Sequence, residues 1–295
     1  MKAMADHPRF GPAGTPYTFK LLKQPITELP SFLHAIGLDA LEYQASRWGP
    51  KPQIKKENAE KLGKNAKQHN IWLTMHGSYF INLTGNQAVA ETSKKRLLAC
   101  ATAAQWMNAH NVVFHPGFYG NRTPQQALNE LVKAMNEVVK NMKNHGIKTK
   151  LAPEVTGKTS QLGNLDEVLT ICERVEQTEP VVDWAHIHAR TQGGLKARDD
   201  FTKIVDKVEK QLGTSAAENL HCHFSKIEFS KKGELRHHIL DETAYGPEFC
   251  DLASVIVELG LKPVIICESP LIDIDAIKMR DILYKEAGRR KKGKV

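Results

Sequence analysis

Asn111-Val112-Val113-Phe114-His115-Pro116-Gly117 opens as an apolar, β-branched run and stops at a histidine. Such a run, bounded by turn residues, reads as a strand buried on both faces, here Asn111–His115. Downstream, Thr123-Pro124 supplies an N-cap followed by proline at the first helical position. The amphipathic stretch Pro124–Asn144 follows, and Gly146 stands where a left-handed C-cap is expected. The unit is therefore a buried strand, a polar strand end and an amphipathic helix.

The same unit recurs in both directions. Strands are expected near Arg9–Ala13, Ala40–Gln44, Ile71–His76, Asn111–His115, Thr149–Glu154, Val181–Asp183, Asn219–Phe224 and Lys262–Glu268. Helical patterns fall at Lys55–Gln68, Ala88–Ala109, Pro124–Asn144, Asp166–Arg174, Ala197–Leu212, Pro247–Leu259 and Ile274–Glu286. Strand and helix alternating throughout predict an α/β protein with a parallel sheet inside its helices. An open doubly wound sheet competes, but eight strands with polar ends favour a (β/α)8 TIM barrel. No linker or repeat interrupts it, so residues 1–295 are read as one domain with a basic C-terminal tail over about 287–295.

Composition narrows the function. Hydrophobic residues make up 41% of the 295 and charged residues 25%, which argues against disorder. No apolar run reaches the roughly 18 residues of a membrane helix, and the start MKAMADHPRF has no signal core. Five cysteines without a Cys-x-x-Cys pair suit a reducing compartment, so a cytoplasmic protein with no membrane partner is expected. The net charge of +8 favours an anionic partner such as nucleic acid. Phe10-Gly11-Pro12-Ala13-Gly14 lacks the Gly-Lys-Ser/Thr of a phosphate loop and reads as a turn after the first strand. Lys158 and Lys226 stand near the expected mouth, where they would either meet phosphate or be solvated.

Six strand ends carry ligand-type side chains: His76, His115, Glu154, Asp183 with His186 and His188, His221 with His223, and Glu268. One histidine or glutamate at a strand end ordinarily caps a helix or bonds backbone. Six ends converging on one barrel mouth would leave carboxylates and imidazoles repelling or unsatisfied without a cation. Imidazole plus carboxylate suits zinc, and manganese is compatible. A helical turn after Asp183 would put it and His186 on one face, within reach of neighbouring metals. His221 and His223 share a strand face, so either is a candidate ligand. His237 and His238 fall in the connection after that strand.

These motifs together resemble the endonuclease IV family of apurinic/apyrimidinic endonucleases. The matching segments are Met75-His76-Gly77-Ser78-Tyr79-Phe80-Ile81-Asn82-Leu83, Phe114-His115-Pro116-Gly117, Pro153-Glu154, Asp183-x-x-His186, His221-x-His223 with Lys226, Arg236-His237-His238 and Ile265-Ile266-Cys267-Glu268-Ser269-Pro270. The resemblance covers Phe10 to about Glu268 and marks a divergent branch. It implies a TIM barrel holding two to three zinc ions. His76 and His115 would bind the first. Glu154 would bridge to the second, which Asp183, His221 and Glu268 complete; the choice of His221 rests on its spacing back from Lys226. His186 and His237 would take the third. The family has Asp-Arg-His-His where this chain has Glu234-Leu235-Arg236-His237-His238, and leucine cannot ligate a metal. Glu234 would replace the aspartate if the loop shifts by one residue.

The implied reaction is zinc-dependent hydrolysis of the phosphodiester 5′ to an abasic site in double-stranded DNA, by a monomer. Glu154 is the expected catalytic residue, holding the metal pair and orienting hydroxide. Tyr79 and Phe80 align with a loop that enters the duplex, and Arg47 with Trp48 is a further candidate DNA contact. Two other classes share the features: a metal-dependent sugar isomerase or epimerase, and a non-catalytic DNA-binding barrel.

Overall fold

Parallel strands buried on both faces need apolar side chains throughout, and the ladders lie where the sequence is richest in them. In the computed structural model, which describes residues 5–292, the strands in chain order are β1 (Arg9–Pro12), β2 (Ala40–Gln44), β3 (Trp72–His76), β4 (Asn111–Phe114), β5 (Gly117–Phe118), β6 (Lys150–Pro153), β7 (Gln161–Leu162), β8 (Val181–Asp183), β9 (His221–Phe224), β10 (Lys226–Ser230), β11 (Gly233–His238) and β12 (Val264–Cys267). Two parallel halves, β1-β12-β9-β8 and β2-β3-β4-β6, hold four strands each. Parallel bridges Ala13↔Glu42 and Glu154↔Val181 join them, closing an eight-stranded barrel. The eight barrel strands lie within the eight expected segments.

Helices pack outside the ring. Along Pro124–Asn144, Leu131, Met135, Val138 and Met142 are buried at helical spacing, and Thr123 with Gln126 forms a capping box. Asn164 and Glu167 cap Leu165–Arg174 in the same way. Trp184–Arg190 is the helical turn considered after Asp183, whereas the short helices Tyr17–Leu21, Leu29–Ala35 and Thr214–Glu218 have no counterpart among the expected segments. Five to seven residues complete too few turns for a hydrophobic period to stand out.

The basic residues expected as a tail continue a helix as far as residue 292. The last helix runs Ile272–Lys292, and Arg290 Nη2 lies 2.7 Å from Glu258 Oε2. Residues 293–295 of that tail lie outside the described residues. Lys226 is also not available to a phosphate: it is buried, donating to Glu248 Oε1 (2.6 Å) and the Glu242 carbonyl (2.9 Å).

Candidate metal centre

Each barrel strand ends at one mouth, and the side chains just past the ladders point into it. Glu154, fully buried, is the hub. Its Oε2 lies 3.2 Å from His76 Nε2 and 3.0 Å from His115 Nε2. Its Oε1 lies 3.1 Å from His223 Nδ1 and 3.3 Å from His186 Nδ1. Among the described residues five groups of donors stand close enough to share an ion. Three run across the mouth: His76, His115 and Glu154; Glu154, Asp183, His223 and Glu268; and His186, His237 and Glu268. Of these three, Glu154 belongs to the first two and Glu268 to the last two. Two more reach down to Glu42, one with His221 and His223 and one with His76 and Glu268.

His223, not His221, stands with Glu154, Asp183 and Glu268, which corrects the position expected for His221. The two share a face of β9, but His223 is paired with Asp183 and Ile266 at the mouth, while His221 is paired with Val181 and Val264 one layer deeper. There His221 Nε2 lies 3.2 Å from Glu42 Oε2. Spacing back from Lys226 does not settle this choice, because it carries no information on how β9 is staggered against β8 and β12.

Asp183 ends β8 and caps the helix Trp184–Arg190, its Oδ1 accepting from the His186 amide at 2.7 Å. That turn carries Asp183 and His186 into adjoining groups. The ring of His76 donates through Nδ1 to the Gly77 carbonyl (2.9 Å), and His186 Nδ1 to the Val155 carbonyl (2.9 Å). Each ring is thereby left with Nε2 as the nitrogen that could ligate a metal. His237 Nδ1 lies 2.7 Å from Ser225 Oγ, leaving its other nitrogen for a ligand. His238 faces away from the mouth, bonded to Glu242 and stacked on Tyr245. His188 also lies outside the groups, its Nδ1 accepting from the Leu195 amide at 3.3 Å.

Glu234 reaches the site through a β-bulge. The register of β10 and β11 passes from Glu228↔Arg236 to Phe229↔Glu234, so Leu235 has no opposite residue. One extra residue flips the alternation. Leu235 turns outward, 60% exposed, and Glu234 falls on the face of His237, its Oε2 2.9 Å from His186 Nε2. Gly157 makes room: a Cβ there would stand 2.3 Å from Glu234 Oε2. The Arg190 guanidinium pins the loop around Gly157, donating to the carbonyls of Thr156 (3.2 Å), Lys158 (2.8 Å) and Gln161 (3.0 Å) and to Tyr119 Oη (2.9 Å).

The donor set fits a cation. Asp183 Oδ2 is buried without a hydrogen-bond partner, and a buried carboxylate oxygen is costly unless a donor or metal meets it. Burial, opposed by His223 and reinforced by Glu154 and Asp183, pushes the Glu268 carboxyl up to about 8. Burial works against a charged His76, yet the hydrogen bond and charge of Glu154, with Glu42 and Glu268, lift it to about 9. Burial also opposes charge on Glu154, but His115 and His223 hold it well below the usual carboxylate range. This mixture of imidazole and carboxylate is a zinc-type or manganese-type set.

Above the groups, a cavity of about 300 Å³ is lined by Tyr79, Lys158, His186, Glu234, His237 and Glu268 among others. Tyr79 stands 57% exposed on its rim, and its neighbour Phe80 is 56% exposed beneath the Arg96 guanidinium. The Tyr79 amide donates to the Ser46 carbonyl (2.9 Å), which brings exposed Arg47 alongside. Trp48 is buried against Tyr43 and cannot contact DNA as expected for it.

A profile of the xylose isomerase-like TIM barrel matches residues 30–284. The chain belongs to the xylose isomerase-like TIM barrel family. An uncharacterized protein of Methanocaldococcus jannaschii is 30% identical over 91% of the chain and 94% of its own length. A probable endonuclease 4 of Finegoldia magna is 28% identical over 77% of the chain and 79% of its length. Among solved structures, endonuclease IV of Thermus thermophilus has a TM-score of 0.66 at 17% identity, covering 94% of this chain and all of that one. D-psicose 3-epimerase of Clostridium cellulolyticum has a TM-score of 0.57 at 15% identity, with 90% of each chain covered. The likeness to an endonuclease IV and to a sugar epimerase fixes the fold that they share with this chain. No helix among the described residues is long and apolar enough to cross a membrane.

Glu42, just beneath the mouth, is not among the residues the sequence points to, although a carboxylate between Leu41 and Tyr43 is itself a signal.

Proposed function

We propose that this chain is a zinc-dependent DNA repair endonuclease that hydrolyses the phosphodiester 5′ to an abasic site. The observation that carries the reading is the sharing of carboxylates among the three donor groups across the mouth, Glu154 between the first two and Glu268 between the last two. A row of groups joined by two carboxylates suits two to three adjacent cations, the arrangement that favours in-line phosphoryl displacement. Such cations, when bound, lower the pKa of a water and stabilise charge on the attacking and leaving oxygens.

The residues of the chain do the rest. His76, His115, Glu154, Asp183, His186, His223, His237 and Glu268 would hold the metals, with Glu234 in place of the family's aspartate. His221 serves from beneath. Tyr79 and Phe80 offer exposed π surface that replaces base stacking when a nucleotide is drawn out of the duplex. Arg47 and Lys158 meet phosphate. Five free cysteines suit a monomer working in the cytoplasm. The relatives named probable endonuclease 4 add to the reading.

Incision of a duplex bearing one abasic-site analogue, before and after chelation, tests it. Folded protein carrying zinc that leaves the duplex intact would sink the proposal.

One observation favours a second reading. Glu154, Asp183, His223 and Glu268 by themselves complete a site for a single cation, which a metal-dependent sugar isomerase or epimerase would use. One exchangeable manganese per chain, with ketose turnover and no incision, would establish it.

A further inference from the structure

Beneath the mouth, Glu42 sits mid-strand in β2 with no solvent exposure. Four side chains converge on its carboxylate. His223 Nε2 lies 3.2 Å from Oε1, His221 Nε2 3.2 Å from Oε2, Thr74 Oγ1 donates to Oε2 at 3.1 Å, and Gln44 Nε2 to Oε1 at 3.4 Å. His223 and Glu42 are both fully buried, so neither can exchange this contact for water.

The two nitrogens of His223 therefore face different layers. Nδ1 points to Glu154 (3.1 Å) and Glu268 (3.5 Å) at the mouth, and Nε2 to Glu42 below. His76 and His186 have their tautomers set by the backbone carbonyls of Gly77 and Val155. His223 lies within a strand ladder whose carbonyls are committed to neighbouring strands, and a buried carboxylate takes their place.

We infer that Glu42 is a positioning residue for the metal centre: it accepts the Nε2 proton of His223 and so presents Nδ1 as the ligand nitrogen. The inference rests on the metal group Glu154, Asp183, His223 and Glu268 proposed above. In this reading Glu42 is a structural anion held by Thr74, Gln44 and two imidazoles, and the donor groups it forms with His221 and His223 and with His76 and Glu268 hold no ion of their own. His221 serves as one of those donors, which accounts for a second histidine on the same face of β9.

The test uses the full chain stripped of metal and reloaded with cobalt. In Glu42→Gln the affinity of one class of site is expected to fall about 10- to 100-fold, the usual effect of losing a carboxylate behind a ligating imidazole. Its visible cobalt band shifts while the metal-free thermal midpoint reports that the fold persists. Long-range ¹H–¹⁵N spectra of the zinc-loaded wild type, which need no variant, should show His223 protonated at Nε2. A proton on Nδ1 overturns the inference, as does a folded Glu42→Gln chain with wild-type affinity and band. An additional cobalt equivalent that His221→Asn removes also overturns it, by making the lower cluster a metal site. Wild type that takes up no cobalt overturns both this inference and the reading it rests on.

Discussion

Glu234 Oε2 lies 2.9 Å from His186 Nε2, although a regular strand would turn Glu234 to the face opposite His237. The bulge at Leu235 reverses the alternation and restores an acidic donor that the sequence pattern lacks. Glu234→Gln is expected to lower the zinc content by one equivalent. Leu235→Asp should leave it unchanged, because that side chain faces solvent. Metal analysis of the purified variants checks both, and a gain of metal in Leu235→Asp would contradict the bulge.

Gly157 tests the same corner from the backbone side. The methyl group of Gly157→Ala would stand 2.3 Å from Glu234 Oε2 and 2.9 Å from His186 Cδ2. Both side chains must move, at a cost of roughly 1–3 kcal/mol for overpacking. The variant should lose the same equivalent of zinc as Glu234→Gln while keeping every ligand. Unchanged zinc content would show that the site adapts.

Glu154 touches four imidazoles, so its loss should be felt across the mouth. Glu154→Gln keeps the shape and removes the charge. At least one metal should leave, and incision should slow by at least about 100-fold, the lower end of the effect of removing one electrostatic stabiliser. Single-turnover rates and metal content are the measurements. A fully active variant would exclude Glu154 as the bridge.

Protons and metal compete for these rings. His76 is raised to about 9 in the metal-free protein, above its unfolded value near 6.5. Its contribution to metal-free stability is therefore complete below about pH 6.5 and lost as pH rises through about 9. Metal affinity should climb over the same window, because the ring must give up its proton to bind. Thermal unfolding of the chelated chain and zinc competition at several pH values read the two trends. Affinity that is flat between pH 6.5 and 9 would contradict them.

Tyr79 on the rim and its neighbour Phe80 are more than half exposed, so truncating them should change stability by less than about 0.5 kcal/mol. Affinity for a duplex with an abasic site should drop instead, with the zinc content intact. Binding isotherms at several salt concentrations separate this loss from phosphate contacts, which alter the salt slope. Equal affinities for wild type and Tyr79→Ala/Phe80→Ala would remove the wedge from the proposal.

Much of this was legible in the residues. Val112, Val113 and Phe114 form a buried parallel strand because nothing polar could lie between two packed layers, and the same reasoning located all eight barrel strands. Ligand-type residues stand out at strand ends because most of the buried strand positions before them are apolar. Tertiary structure decided the rest. His221 and His223 share a face, so only the offset between β9, β8 and β12 sets which reaches the mouth. Glu42 looks like a strand residue until Thr74 and two histidines close around it. Glu234 enters the site only because a bulge, invisible to a period-two pattern, adds one residue to β11. Local sequence determines the type and face of an element, whereas depth within a barrel depends on how neighbouring strands are staggered, and that is set by the closure of the whole ring.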